Sequence, residues 1–332
     1  MNTPNTDFGE FSGISLSGKI LSREQCRQVL NCPDTKILAL LDSAYTVRFH
    51  YFKNIVNVQL LTNAKSGLCK EDCHYCSQSR VSKADIKKYP LMAKDKLVDE
   101  AFKATKLNAK RYCMALSGTG PSDSEIDALC DIISTVKKQS DISLCCSTGF
   151  LNMEKAKKLK EAGLDRVNHN LNTSKRFHPQ MCTTHSYQDR LDTIAICRKA
   201  GLEVCSGGIV GQGETDEDII DLLLALREIN AESIPINFLV PIKGTPFEDH
   251  TQNLTPQRCL KILSLARFLN PDKEIRAAGG REYHLRTLQP LALYAANSIF
   301  VAGYLTTSGQ TAQEAKVMID DLGFDSEIEA SV

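Results

Sequence analysis

Three thiols crowd into one short stretch of this chain. Cys69, Cys73 and Cys76 stand at the spacing C-x3-C-x2-C within Gly67–Ser77. At that spacing a single loop can wrap three thiolates around one metal centre. Structural zinc sites and most iron–sulfur clusters take four protein ligands, yet no fourth cysteine follows nearby. A centre with three protein ligands keeps an open coordination position, the mark of a catalytic metal site. Two plainer readings stand beside this one: a zinc knuckle completed by His74, or cysteines that share a loop by coincidence. His74 itself reads as a solvated loop residue.

The remaining thiols are dispersed. The chain has 13 cysteines in 332 residues. Its first twenty residues hold no apolar leader, which points to a cytoplasmic protein and argues against a disulfide framework. Metal ligation or service as small buried hydrophobes remains. In extended runs, residues two apart share a face. On that rule Arg111, Cys113 and Ala115 share one face, and Ser143, Cys145 and Ser147 share another. Asn168 and Asn170 also share one, with His169 opposite, while Cys205, Asn237 and Arg276 lie in three further runs. Thiols, amides and a guanidinium on inward faces imply a cavity with contents. Cys113, Cys145, Cys205 and Arg276 could hold a second cluster, although each cysteine alone could be core filler. Cys146 points away from Cys145 and reads as filler, together with Cys26, Cys32, Cys130, Cys182, Cys197 and Cys259.

Something must carry these residues to one place. Short apolar or β-branched runs at 55–61, 110–116, 142–148, 165–171, 203–209, 233–240, 274–278 and 298–302 read as strands. Amphipathic stretches near 93–107, 123–139, 152–162, 186–200, 216–230, 256–269 and 283–296 read as helices between them. Leu222–Leu226 marks the clearest core-facing helix, and Thr215 with Asp218 has capping-box spacing ahead of it. Strand–helix alternation with eight strands predicts an α/β fold, a (β/α)8 TIM-type barrel. A doubly wound open sheet is the alternative. The expected organisation is an N-terminal helical extension over 1–45, the barrel over 46–308 and a C-terminal helical tail over 309–332. Barrel enzymes work at the C-terminal ends of their strands, and the cysteine loop follows the first of these runs.

Composition sets outer bounds. Lys+Arg and Asp+Glu are both 40, so no basic surface suggests nucleic acid or membrane as a partner. No apolar run reaches the roughly 20 residues of a membrane-spanning helix.

The cysteine loop resembles that of radical S-adenosylmethionine enzymes. Within that superfamily the segments Gly67–Arg80, Tyr112–Gly118, Asn168–Ser174, Val204–Glu214, Ser233–Val240, Glu274–Glu282, Ala295–Phe300 and Leu305–Thr307 closely resemble the biotin synthase family. The likeness covers roughly residues 35–325, and Val204–Glu214 and Glu274–Glu282 are its most specific parts. It implies a 4Fe–4S cluster on Cys69, Cys73 and Cys76, with S-adenosyl-L-methionine on the open iron. It implies a 2Fe–2S cluster on Cys113, Cys145, Cys205 and Arg276, whose sulfide becomes the sulfur of biotin. An arginine ligand is unusual, because a protonated guanidinium has no free lone pair. The resemblance places Tyr75, Gly118, Asn170, Asn172, Gly211 and Glu214 beside the cofactor. It places Asn170, Asn237, Thr306 and Thr307 on the substrate, dethiobiotin. Many members carry Asp where this chain has Asn172, and Asn keeps hydrogen-bonding capacity but loses the charge. A homodimer and an electron donor such as flavodoxin or ferredoxin are expected on the same ground. Sister radical enzymes, of hydrogenase-maturation or methylornithine-synthase type, are the second reading, and the full Cys113, Cys145, Cys205 and Arg276 set argues against them. A non-catalytic iron–sulfur carrier or zinc scaffold is the third, and it would need no asparagine-lined cavity. Arg281 and Glu282 read as a surface pair or an anion site.

Overall fold

The computed structural model describes residues 7–250 and 254–326. Nine strands alternate with helices: β1 (Asn57–Lys65), β2 (Arg111–Leu116), β3 (Ser143–Ser147), β4 (Arg166–Asn168), β5 (Glu203–Cys205), β6 (Gly208–Val210), β7 (Ser233–Phe238), β8 (Glu274–Ala277) and β9 (Ser298–Val301). Their order around the sheet is β5-β4-β3-β2-β1-β9-β8-β7-β6, and β5 also pairs with β7, so the sheet closes on itself. The pairings are parallel. The expected (β/α)8 barrel is therefore the fold, because β5 and β6 are two halves of one spoke. Cys205 pairs with Ser233, and Gly208–Val210 pair with Ile236–Phe238.

The break in that spoke has a steric cause. A Cβ on Gly207 would stand 1.9 Å from the Pro235 carbonyl oxygen. Only a residue without a side chain lets the two strands come this close.

Local sequence explains the helices. Ser122, Ser186, Thr215 and Thr311 each accept a backbone N–H at a helix start, with the third residue's side chain reaching back to the cap. Each such cap is worth about 1 kcal/mol. Helix Asp216–Glu228 buries Ile219, Ile220, Leu222, Leu223 and Leu226 against the sheet. Helix Pro256–Leu269 is buried nearly all round, because Ile37–Phe52 and the N-terminal helices pack over it. Two fully buried arginines tie this end together through main-chain carbonyls. Arg48 donates to Ala296 and Ile55, and Arg267 to Ala295, Pro271 and Lys273.

Each expected strand coincides with strand in the structure, but 203–209 is broken into β5 and β6, 165–171 shortens to Arg166–Asn168 and so leaves Asn170 beyond it, and the others differ at their ends. β1 runs on to Lys65, past the expected residue 61, and so delivers the chain to the cysteine loop. The single helix expected over 283–296 is a short α-helix, Arg281–Leu285, followed by a 3-10 helix, Arg286–Tyr294. Arg286 takes φ of 52° and Pro290 has no N–H to give, so regular α-helix cannot continue. The polar start of the chain conceals helix Phe8–Leu16, in which Phe8 packs edge-on against Phe11 and Phe11 edge-on against Phe268.

Candidate active site

The cysteine loop sits at the C-terminal end of the barrel and is fastened on three sides. Ser66 bridges Tyr89 just past β1. The Gly67 N–H donates to Gln78 Oε1 at 3.0 Å, and Ser117 Oγ, beyond β2, donates to the Gly67 carbonyl at 2.5 Å. The segment after helix His178–Met181 holds the third side. Asp72 accepts the Thr183 N–H at 2.9 Å, and Glu71 accepts His185 Nδ1 and Thr119 Oγ1, both at 2.6 Å. Burial would raise the Asp72 carboxyl, but hydrogen bonds from Thr183, Cys182 and Thr184 hold it well below the usual range.

Cys69, Cys73 and Tyr75 line a cleft of about 200 Å³, together with Gly118, Asn170 and Asn172. Burial pushes the Cys69 thiol up and the Cys76 thiol up to about 11. These groups stay protonated until a metal replaces the proton, so metal loading releases protons. Tyr75 Oη accepts Asn172 Nδ2 at 2.7 Å, and the Asn170 carboxamide oxygen accepts the Gly207 N–H at 3.1 Å.

A second cavity of about 250 Å³ opens from the same region and shares Tyr75, Cys76, Gln78 and Asn168 with the first. Its walls include Cys113, Asn237, Thr306 and Thr307 among apolar residues such as Leu61, Ile209 and Phe300. Strand register makes the thiols converge. Cys113 faces Cys145 across β2 and β3, and Asn168 pairs with Cys205 across β4 and β5. Asn168 Nδ2 lies 3.3 Å from Cys205 Sγ, and Arg276 Nη1 lies 3.8 Å from the same sulfur.

A layer of buried charge underlies these thiols. Glu274 is the hub: it accepts Gln59 at 2.8 Å and Ser233 at 2.7 Å and pairs with Arg276. Arg276 Nε donates to Ser298 at 3.1 Å and Nη2 to Ser233 at 3.0 Å, which leaves Nη1 as the nitrogen facing the sulfurs. Burial would raise the Glu274 carboxyl, but the charges of Arg276 and Arg166 pull it down to about 2. The Cys113 thiol is driven up by its hydrogen bond to Cys145 and by burial. Cys145 is drawn down to about 7, first by that bond and then, against burial, by Arg111, Arg166 and Arg276. Of the two thiols Cys145 therefore gives up its proton first, with three guanidiniums to stabilise the thiolate, while Cys113 keeps its own. Arg111 Nε and Nη1 and Arg166 Nη1 are buried without a hydrogen-bond partner. Unmet positive donors beside three thiols suit an anionic metal–thiolate centre, so the residues present fit a second cluster. The cysteine loop fits a first one.

Some expectations need correction. Cys26, Cys32, Cys146, Cys197 and Cys259 lie inside the apolar core and Cys130 packs against it, as filler should. Cys182 does not. Its Sγ stands 3.7 Å from Cys73 Sγ and 3.3 Å from His185 Nδ1, in a polar surrounding. His74 is half-buried, edge-on to Phe247, rather than solvated. Arg281 is fully buried, donating to Glu282 and to the Phe300 carbonyl, rather than pairing on the surface. Glu214 spends both carboxylate oxygens on the N–H groups of Gly211 and Gln212 at 2.7 Å, and neither Gly211 nor Glu214 lines the two cavities. Glu71, His185 and Arg190 at the upper cleft escaped the sequence reading, because no strand periodicity marks them.

Comparison with known proteins supplies the last finding. Residues 65–226 match the model of the Radical SAM superfamily, and residues 235–325 match the Biotin and Thiamin Synthesis associated domain. The chain is 48% identical over 318 residues to the biotin synthase of Bacillus subtilis (strain 168), covering 96% of this chain and 95% of that one. It is 49% identical over 312 residues to the biotin synthase of Geobacillus kaustophilus, covering 94% and 93%. Among solved structures it resembles methylornithine synthase, at TM-score 0.83 and 18% identity over 95% of this chain and 97% of that one. It also resembles the FeFe-hydrogenase maturase from Carboxydothermus hydrogenoformans, at TM-score 0.80 and 17% identity over 97% and 80%. At those identities the two structures share the fold alone.

Proposed function

We infer what the protein does from the premise that the chain belongs to the biotin synthase family: it is a radical S-adenosylmethionine sulfurtransferase that converts dethiobiotin to biotin. A 4Fe–4S cluster with S-adenosylmethionine supplies the 5′-deoxyadenosyl radical that removes hydrogen from unactivated carbons, and a 2Fe–2S cluster supplies the sulfur. Acid–base or nucleophilic side chains could not attack such carbons.

The assignment of residues is our reading. Cys69, Cys73 and Cys76 hold the first cluster; Cys113, Cys145 and Cys205 hold the second, with Arg276 Nη1 at its remaining position. Tyr75, Gly118, Asn170 and Asn172 receive S-adenosylmethionine in the upper cleft, where all four are found. Asn170 lines the cleft and not the second cavity, and its contact with the substrate would be made where the two adjoin. Gly211 and Glu214 act on the cofactor side by shaping the turn that Glu214 closes. Asn237, Thr306 and Thr307 orient dethiobiotin in the lower cavity, whose apolar walls suit an aliphatic chain and keep water from a reactive radical. Residues 46–308 form the catalytic barrel, with 1–45 and 309–332 as extensions. The protein works in the cytoplasm as a homodimer and takes electrons from a flavodoxin or ferredoxin. No described helix is long and apolar enough to cross a membrane.

The observation that carries this reading is the convergence of three thiols and Arg276 beside a cavity contiguous with the cysteine-loop cleft. The test is an anaerobic turnover assay of the chain carrying both clusters, with dethiobiotin, S-adenosylmethionine and a reductant. Deoxyadenosine and biotin are scored separately. Both are expected, and deoxyadenosine without biotin would favour a sister radical enzyme.

A further inference from the structure

A fourth thiol stands beside the cysteine loop and has no part in the assignment above. Cys182 follows helix His178–Met181 and is 2% exposed. Its sulfur lies 3.7 Å from Cys73 Sγ. Thr184 Oγ1 at 3.4 Å and His185 Nδ1 at 3.3 Å also approach it. The Asp72 carboxylate accepts the Cys182 thiol at 3.1 Å and the N–H groups of Thr183 and Thr184. The segment 182–184 is thus bonded to the residue next to Cys73, and the two sulfurs are held together from both sides. A disulfide bond is about 2 Å long, so closure asks for less than about 2 Å of sulfur travel, a distance that side-chain torsions can cover.

The two thiols differ in access. Cys73 lines the upper cleft and Cys182 does not. A small oxidant entering the cleft meets Cys73 first, and Cys182 is the thiol placed behind it to resolve the product. Oxidation-sensing cysteines often stand next to such a resolving partner.

We propose that Cys73 and Cys182 form a reversible redox pair in the cluster-free chain, with a peroxide as oxidant. The two thiols give up two electrons, the S–S bond forms and the peroxide O–O bond breaks. Both thiol protons leave with the peroxide oxygens as water, two molecules in all when the oxidant is hydrogen peroxide. A dithiol reductant reverses the step. This rests on the reading that Cys73 is a cluster ligand. The disulfide withholds that ligand from cluster assembly, and it spares Cys73 the further oxidation to sulfinic and sulfonic acids that is not readily undone.

The test uses the full-length chain stripped of its clusters under anaerobic conditions and exposed to a small excess of hydrogen peroxide. Peptide mapping without reductant should find the segments holding residues 73 and 182 joined, and dithiothreitol should separate them. The oxidised chain should fail to regain 4Fe–4S absorbance from iron and sulfide until it is reduced. Cys182→Ser, never exposed to peroxide, should regain that absorbance as the original chain does. After peroxide it should carry sulfinic acid at residue 73 and lose its loadable fraction about tenfold faster, because no partner caps the thiol. Cys182→Ala repeats the measurement, and a thermal transition unchanged from the original chain shows that each variant is folded. Pairing of Cys69 with Cys76 in place of the 73–182 link overturns the proposal, as does equal peroxide resistance of Cys182→Ser. Cys69→Ala separates the two readings: it should lose the cluster and keep the link. A Cys69→Ala chain that still assembles a 4Fe–4S cluster would refute the ligand assignment and leave the thiol pair standing.

Discussion

The Asn172 amide donates a 2.7 Å hydrogen bond to the Tyr75 hydroxyl, joining the end of the fourth barrel spoke to the cysteine loop. Asn172 also holds φ of 70°, in the left-handed region that asparagine tolerates better than most residues. Two terms therefore rest on one side chain. Asn172→Ala should cost about 1–2 kcal/mol of stability from backbone strain and weaken S-adenosylmethionine binding by freeing Tyr75. Asn172→Gly should recover the stability and not the binding. Asn172→Asp can accept from the tyrosine hydroxyl and should bind S-adenosylmethionine within about threefold of the original chain, well under 1 kcal/mol. Denaturant unfolding and equilibrium binding read the two terms apart.

Cys145→Ala should leave cleavage of S-adenosylmethionine intact and abolish biotin. The residue faces Cys113 in register and is remote in sequence from the cysteine loop. Cys69→Ala, Cys73→Ala and Cys76→Ala should abolish deoxyadenosine as well. Arg276→Ala should be milder than Cys145→Ala, since water or a neighbouring group can take the position of Nη1. Product analysis under anaerobic turnover separates these classes. Biotin formed at the original rate by the Cys145 variant would rule out sulfur donation from that site.

Glu274 supplies a pH dependence. Its carboxyl is depressed to about 2 by Arg276 and Arg166, despite its burial. A depressed carboxyl adds stability that is complete above the unfolded value of about 4.3 and is lost as pH falls through the folded value. Unfolding free energy should therefore decline between about pH 4.5 and pH 2. Glu274→Gln should be less stable by about 3–5 kcal/mol at pH 7, because buried arginines lose their counter-charge. The difference between the two proteins should shrink on acidification. A difference that stays constant from pH 7 to pH 3 would show that the charge at Glu274 is not what holds this layer.

Gly207→Ala tests the closure of the barrel. Its methyl group would overlap the Pro235 carbonyl oxygen, which is main chain and cannot swing aside. A loss of at least about 3 kcal/mol is expected, read as a lower thermal midpoint. Gly18→Ala is the control, since a Cβ there meets nothing within 4 Å and only the left-handed φ of 78° is disturbed.

The barrel was legible because each strand is a short β-branched or apolar run between capped amphipathic helices, as at Asp216–Glu228. The thiols of Cys113, Cys145 and Cys205 were legible because strand alternation fixes the side of the sheet each residue takes. The charged layer was not. Gln59, Arg166 and Glu274 share that inward periodicity, but isolated polar or charged residues in separate strands look like solvated ends until the ring closes over them. The contact between Cys182 and Cys73 was equally hidden, because it depends on two loops meeting across 109 positions of chain. Arg281 shows the converse. Next to Glu282 it resembles a surface ion pair, yet it is buried beneath Phe300 and the turn after β8.

The seam between β1 and β9 bears on how the chain reaches this state. Asn57 pairs with Ser298, so the ring is completed by residues from near the two ends of the described chain. Loop-closure entropy makes such distant pairings slow to form. Cys113, Cys145 and Cys205 are all made before β8 and β9 during synthesis, and Glu274 and Arg276 arrive only with β8. For a time, then, the nascent chain would present three neighbouring thiols with Arg111 and Arg166 but without Arg276, on a sheet still open to solvent along one edge. Iron and sulfide offered during synthesis and offered after it would meet two different sites: first an open tray, later a closed ring of strands.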